Sequence, residues 1–173
     1  MLCTHHSGMT ESRARHPEYK DAKAAAIRLL AHRARTRGYL DRRLRGKGLA
    51  AEAVEEALGD LERAGYVDDE QYARDRIDAL LRKSKQGPMA LIHKLVQDEV
   101  DGDLAERIVH ETLRDEDLSE WALEVAMQRV PRLRDLEPEK ARRRLYGYLK
   151  RRGFSDHHCM SAVDEAVADA NSD

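Results

Sequence analysis

Apolar residues return every three or four positions from Asp21 onward, the spacing by which a helix buries one stripe of its surface. Ile27, Leu30 and Ala34 predict a first helix ending near Arg35. Thr36 is placed to cap a short second helix carrying Leu40 and Leu44, and Gly48 falls where a helix ends in a left-handed residue. A third helix follows, with Val54, Leu58 and Leu61 on one face and Gly65 as its stop. The pattern then recurs. Leu40, Leu44, Gly48, Leu49, Val54 and Leu58 stand at offsets 0, 4, 8, 9, 14 and 18, and Leu145, Leu149, Gly153, Phe154, Cys159 and Val163 occupy the same offsets. A middle copy, Leu91, Leu95, Glu99, Val100, Ala105 and Val109, keeps the apolar register and loses the glycine. Each short helix has its own start: Thr36, then Gly87 with Pro88, then Glu137 with Pro138, proline being tolerated in a first helical turn.

Copies about 50 residues apart predict an all-α chain, a tandem array of three three-helix repeats, elongated and curved. One unit alone has a marginal core, and stacking neighbours adds buried surface. The units are expected at 20–66, 67–115 and 116–170. Residues 1–19 mix Cys, His, Ser, Gly, Arg and Pro17 without periodicity and read as a disordered leader, within which Met9 is a second candidate start. Helices of about 14 residues are roughly 21 Å long, so three stacked units span on the order of 60 Å, which suits a long partner better than a small ligand.

Composition agrees with helix: of 173 residues 41% are hydrophobic, 5% aromatic and 37% charged, with only four prolines. No stretch approaches the roughly 20 apolar residues of a membrane span, and the N-terminus lacks the apolar centre of a secretory signal, so a cytoplasmic location and no membrane partner are expected. Cys3 and Cys159 lie near opposite ends without a C-x-x-C pair, which predicts reduced thiols. The net charge of -2 conceals a sorting of charge along the chain. From 13 to 47, Lys23, Arg28, Arg33, Arg35, Arg37, Arg42, Arg43 and Arg45 outnumber Glu18, Asp21 and Asp41; from 98 to 124 acids dominate, and from 129 to 152 the sign flips back.

No phosphate loop, dinucleotide fingerprint, H-E-x-x-H or nucleophile elbow occurs, so an enzyme is not expected, nor a cofactor or small-molecule substrate. Cys3 with His5 and His6 is discarded as a metal site for want of fixed geometry. Cys159 sits beside His157 and His158, yet takes the apolar position that Val54 fills in the first copy, and is expected in the core. Asp68, Asp69 and Glu70 are expected to cap a helix rather than hold a cation. Trp121, near Leu118, Val125 and Met127, is expected to pack between copies. The candidate chemistry is basic. Arg37, Arg42, Arg43, Arg45 and Lys47 mark the short helix of the first copy, and Arg142, Arg143, Arg144, Lys150, Arg151 and Arg152 that of the third. A charge run is commonly a solvated face, but its return at equivalent positions points to a polyanion or an acidic protein surface. Few Asn, Gln or Ser accompany these residues, which argues against base readout by a helix-turn-helix. Tyr39, Tyr146 and Tyr148 are the few aromatics available for stacking, so any nucleic-acid contact should be electrostatic and salt-sensitive.

One further pattern is carried by the order of residues. Leu29-Leu30, Arg33, Arg35-Thr36-Arg37, Leu40, Leu44, Lys47-Gly48-Leu49, Val54, Leu58, Leu61, Gly65-Tyr66-Val67-Asp68-Asp69 and Tyr72-Ala73 resemble the signature of the RecX family of regulatory proteins. The likeness is densest from 29 to 73 and continues through both later copies. Two departures stand out. Tyr39 replaces a glutamate common in the family, leaving the cap to Thr36 alone beside a weakening Gly38, and Asp98-Glu99 replaces the Lys-Gly turn in the middle copy. The resemblance implies a modular helical array whose partner is the RecA nucleoprotein filament. It implies binding along the filament groove, suppression of ATP turnover and restraint of recombination and the SOS response, with single- or double-stranded DNA a contact without sequence preference. The alternative reading of the residues is a non-specific DNA-binding helical module with no RecA partner.

Overall fold

The computed structural model describes residues 15–170, and among these nine α-helices and one 3-10 turn form, with no strand. The first unit holds α1 (Tyr19–Leu30), α2 (Arg37–Arg45) and α3 (Ala51–Arg63); the second holds α4 (Asp69–Leu81), α5 (Pro88–Gln97) and α6 (Gly102–Thr112). The third holds α7 (Leu118–Met127), the 3-10 turn Val130–Leu133, α8 (Pro138–Arg151) and α9 (Asp156–Ala170). The dominant helix packing lies within these trios. Among the described residues, hydrogen bonds and ion pairs between units join the first to the second and the second to the third, never the first to the third. A linear array of three-helix units results, as the spacing of leucines requires.

The short helices carry the register. Leu40 and Leu44, Leu91 and Leu95, and Leu145 and Leu149 are all buried at equivalent positions, each contributing about 1.5–3 kcal/mol by burial. The first helix departs from expectation. Its core stripe is Tyr19, Ala22, Ala25 and Ala26, while Ile27 is 47% exposed and Ala34 lies on the surface beyond the helix end. The alanines let α1 approach Ala53, Val54 and Ala57 of α3 closely, leaving the bulkier Ile27 outside. Residues 15–19, expected in the leader, belong to the folded first unit. Tyr19 is buried and opens α1, its hydroxyl donates to Asp60, and Arg15 lies 4.2 Å over its ring and 3.0 Å from Asp60. Residues 1–14, with Cys3, His5, His6 and Met9, lie outside the described residues.

Caps follow the polar residues. Thr36 Oγ1 accepts from the Tyr39 amide at 3.2 Å, and the cap does not rest on Thr36 alone: the Arg37 amide donates to Asp69 Oδ1 at 2.8 Å. Of the acidic trio, Asp68 caps α4, Asp69 reaches back to α2, and Glu70 joins an ion-pair network with Arg74, Arg107 and Glu111. Burial pushes the Asp69 carboxyl above its ordinary value despite the Arg37 amide.

Each short helix ends in a left-handed residue at the same repeat position, Gly48 at φ 83°, Glu99 at 64° and Gly153 at 84°. Glu99 tolerates a conformation that disfavours side chains by roughly 1–2 kcal/mol. Its carboxylate grips Arg42 of the first unit, with Arg42 Nε 3.0 and 2.9 Å from its two oxygens and Nη2 at 2.7 Å. Onto each later turn the preceding unit lays the start of its short helix. Gly87 N donates to Arg152 O at 2.8 Å and Met89 N to Gly153 O at 3.3 Å. At the equivalent joint Thr36 Oγ1 donates to Asp98 O at 2.8 Å. A β-carbon on Gly87 would overlap Gly153, one on Gly153 would overlap Ala90, and one on Gly38 would overlap the Glu99 carbonyl. The first unit keeps its own core, whereas the second and third share one containing Ile77, Trp121 and Phe154. Trp121, 8% exposed, lies under Lys85 of the middle unit at 5.3 Å, packing between copies as expected.

Gly48 and Gly153 share one backbone conformation, but only Gly153 faces a neighbouring unit. Gly48→Ala should destabilise the chain by about 1–2 kcal/mol in urea unfolding, and Gly153→Ala by at least about 1 kcal/mol more through overpacking of the joint. Equal losses would contradict the joint. A second expectation concerns acid. Hydrogen bonds from Arg107 and then Arg74 hold the Glu70 carboxyl at about 2 instead of 4.5. Its contribution is therefore complete above pH 4.5 and fades as pH falls towards 2, muted by solvent screening. The drop in melting temperature on acidification to about pH 3 should be smaller for Glu70→Gln than for the native chain.

Candidate anion-binding clefts

The two terminal units build a concavity at the same place, between the segment following their first helix and the face of their short helix. In the third unit Pro131 starts a 3-10 turn that buries Leu133 and carries Arg129 and Arg132 towards α8. On α8, Leu145 and Leu149 face the core, so Arg143, Arg144, Gly147, Tyr148 and Arg151, spaced by three and four, share an outward face. The cleft, half open to solvent, has a volume of about 430 Å³. Five guanidinium groups line it with no carboxylate, and among the described residues none of the five has an ion-pair partner. Tyr148 is held between Arg129 at 5.1 Å and Arg152 at 5.2 Å, each cation attracted to a ring face. Unneutralised positive charge around low-dielectric walls focuses the field and attracts phosphate oxygens, which guanidinium forks bind in pairs.

The first unit repeats the stack with Tyr39 between Arg35 at 4.3 Å and Arg42 at 5.6 Å. Here the cleft, about 460 Å³, is closed by the second unit and has mixed charge, since Asp75, Asp98 and Glu99 join its wall. Arg42 on Glu99 and Arg76 on Asp98, the latter at 2.6 Å, are internally neutralised.

The basic residues singled out by sequence divide accordingly. Arg37 binds Glu55 and Glu62, Arg42 binds Glu99, Arg45 binds Asp41, Arg142 binds Asp164 and Lys150 binds Asp156. Arg152 is tied to Ser84 across a joint and to the Tyr148 hydroxyl. Arg43 and Lys47 are exposed without a carboxylate partner among the described residues, and only Arg143, Arg144 and Arg151 converge in the third-unit cleft. Arg129 and Arg132 complete it and were not singled out, since a four-residue 3-10 turn has no periodicity to betray which way its side chains face. The one available signal was that each terminal unit follows its first helix with arginines, Arg33 and Arg35 in one, Arg129 and Arg132 in the other. Among the family-motif residues Leu40 and Leu44 are core, Leu49 packs partly buried against it, Gly48 and Gly65 take positive φ, Asp68 and Asp69 cap helices, and Tyr66 is 67% exposed. No group of three or more His, Cys, Asp or Glu among the described residues is placed to hold a metal, and no described helix is long and apolar enough to cross a membrane.

These features define a tandem helical-repeat protein with a cationic cleft in its third unit and a cleft of mixed charge between its first and second. Its residues 22–61 match the first three-helix domain of RecX and residues 115–163 the third. Regulatory protein RecX of Amycolatopsis mediterranei (strain U-32) is 34% identical over 151 residues, covering 86% of this chain and 85% of that one. Regulatory protein RecX of Chlorobium phaeobacteroides (strain BS1) is 31% identical over 146 residues, covering 84% and 93%. The crystal structure of RecX from Lactobacillus salivarius superposes with a TM-score of 0.74 at 19% identity, covering 86% of this chain and 96% of that chain, a likeness of fold. The chain belongs to the RecX family of regulatory proteins.

Cys159 is fully buried, and burial pushes its thiol up to about 11, so almost no thiolate exists at neutral pH. In a Cys3→Ser chain, a disulfide reagent should label Cys159 only as fast as the fold opens; rapid labelling of the native chain would contradict its core position.

Proposed function

We propose that this chain restrains homologous recombination by lying along the RecA nucleoprotein filament and slowing its ATP turnover, with the third-unit cleft on filament phosphates. Membership of a family of regulatory proteins supports the regulatory role. The observation that carries the contact is the set of five guanidinium groups left without carboxylates around Tyr148. A linear array suits a linear partner, because modest contacts on successive units of a repeating assembly add through effective concentration. Arg43 and Lys47 supply a second basic contact on the first unit, where Arg42 and Arg45 are already paired.

The test is ATP hydrolysis by RecA on single-stranded DNA with and without the chain. The native protein should inhibit, and Arg143→Glu with Arg144→Glu should weaken inhibition by about tenfold or more, as expected when charge-assisted contacts are lost. An inert native chain would overturn the regulatory reading. Undiminished inhibition by the double variant would overturn only the cleft assignment. Affinity for naked single-stranded DNA, followed against salt, should lose about 0.7 from its log–log slope for each phosphate contact removed. Tight binding to naked DNA that RecA leaves unchanged would favour a nucleic-acid module without that partner.

A further inference from the structure

The two clefts are alike in place and unlike in charge, and the difference selects their ligands. The third-unit cleft is cationic throughout, which suits a chain of phosphates. The cleft between the first and second units has a cationic wall, an acidic wall and two aromatic rings. A polyanion entering it would meet Asp75, Asp98 and Glu99. A small molecule with an anionic end, a flat ring and hydrogen-bond donors would match every wall.

Three observations sharpen this. First, Arg33 and Arg35 have no ion-pair partner among the described residues, although Arg42 and Arg76 in the same cleft each hold a carboxylate. None of the cleft's carboxylates pairs with them: Asp98 holds Arg76, Glu99 holds Arg42, and Asp75 accepts from the side-chain amide of Gln71 through Oδ1 alone. Secondly, Arg35 Nε is buried with no acceptor, and the guanidinium lies 4.3 Å over Tyr39. A buried donor left unsatisfied is expensive, and the protein supplies it nothing. Thirdly, Tyr72 of the second unit lines the same space, a ring with a hydroxyl that is protonated at neutral pH. The volume of about 460 Å³ is within the range of small-ligand sites.

We propose that this inter-unit cleft binds a nucleoside monophosphate, its phosphate on Arg33 and Arg35, its base against Tyr72, and its hydroxyl and amino donors towards Asp75. One phosphate fits the two spare guanidinium groups; a triphosphate brings excess charge against the acidic wall. Because Arg33 and Arg35 belong to the first unit and Tyr72 and Asp75 to the second, an occupied cleft braces the joint. The site is independent of the filament contact, which uses a different cleft.

Isothermal titration of the full chain with AMP tests it. Saturable one-to-one binding is expected, with inorganic phosphate and ATP both weaker than AMP. Arg35→Met, which keeps the stem over Tyr39, should weaken AMP binding by about tenfold or more. Arg33→Gln, at an exposed position that leaves the fold intact, should weaken it in the same direction. Arg143→Gln with Arg144→Gln should leave AMP affinity unchanged. AMP should also raise the melting temperature of the native chain and not that of Arg35→Met. Absence of saturable heat in the millimolar range, phosphate binding as tightly as AMP, or AMP affinity lost in the third-unit variant and kept in Arg33→Gln and Arg35→Met would each overturn the proposal.

Discussion

A helix start has amides without partners, and a helix end has carbonyls without them. The left-handed turn after α8 brings the two together across successive units, and after α5 the Thr36 hydroxyl stands in for the amide as donor. Each turn directs the chain so that the carbonyls of Asp98, and of Arg152 and Gly153, face the first turn of the preceding short helix. Gly38 and Gly87 remove the side chains that would block that approach. The same solution appears twice, at Thr36 on Asp98 and at Gly87 on Arg152, so the order and spacing of the three units follow from one local arrangement.

The two joints are nonetheless held by different forces. Between the second and third units the backbone contact is reinforced by a shared apolar core around Ile77, Trp121 and Phe154. Between the first and second, no core is shared, and the contact rests on Thr36, on Asp69 reaching the Arg37 amide, and on the Arg42–Glu99 fork. Glu99 accepts a backbone conformation better suited to glycine and in exchange supplies the carboxylate that holds Arg42. Salt screens the ion pair on which the first joint rests, whereas it does not screen the apolar core of the second. The first unit is therefore the part of the array whose attachment is set by its ionic surroundings.

Much of this was legible in the sequence. The leucine register, the turns at Gly48 and Gly153 and the trio of helices were read from spacing, whereas the equivalent turn at Glu99 was not, since it lacks the glycine that marks one. The first helix was misread at Ile27, since periodicity follows large apolar residues while α1 packs through alanines. The capping of α2 also draws on Asp69, which accepts from the Arg37 amide 32 positions away and which local pattern does not reveal. The basic surface was legible as charge and illegible as free charge. Arg42 meets its carboxylate 57 residues later and Arg142 meets Asp164 on the next helix, so counting cations along the chain overstates those available. Arg129 and Arg132 enter the cleft from a 3-10 turn, where neither helical nor strand spacing applies.

The two ends of the array are not equivalent. Helix α8 begins seven residues before Leu145, while α2 and α5 begin three before Leu40 and Leu91, so the place where α8 would lay its start on a following turn is filled by an additional turn of its own. At the other end no described residue lies against the turn at Gly48. An engineered unit placed ahead of α1 would thus meet at Gly48 the backbone conformation that Gly153 offers to Gly87, whereas α8 begins with a turn that α2 and α5 lack.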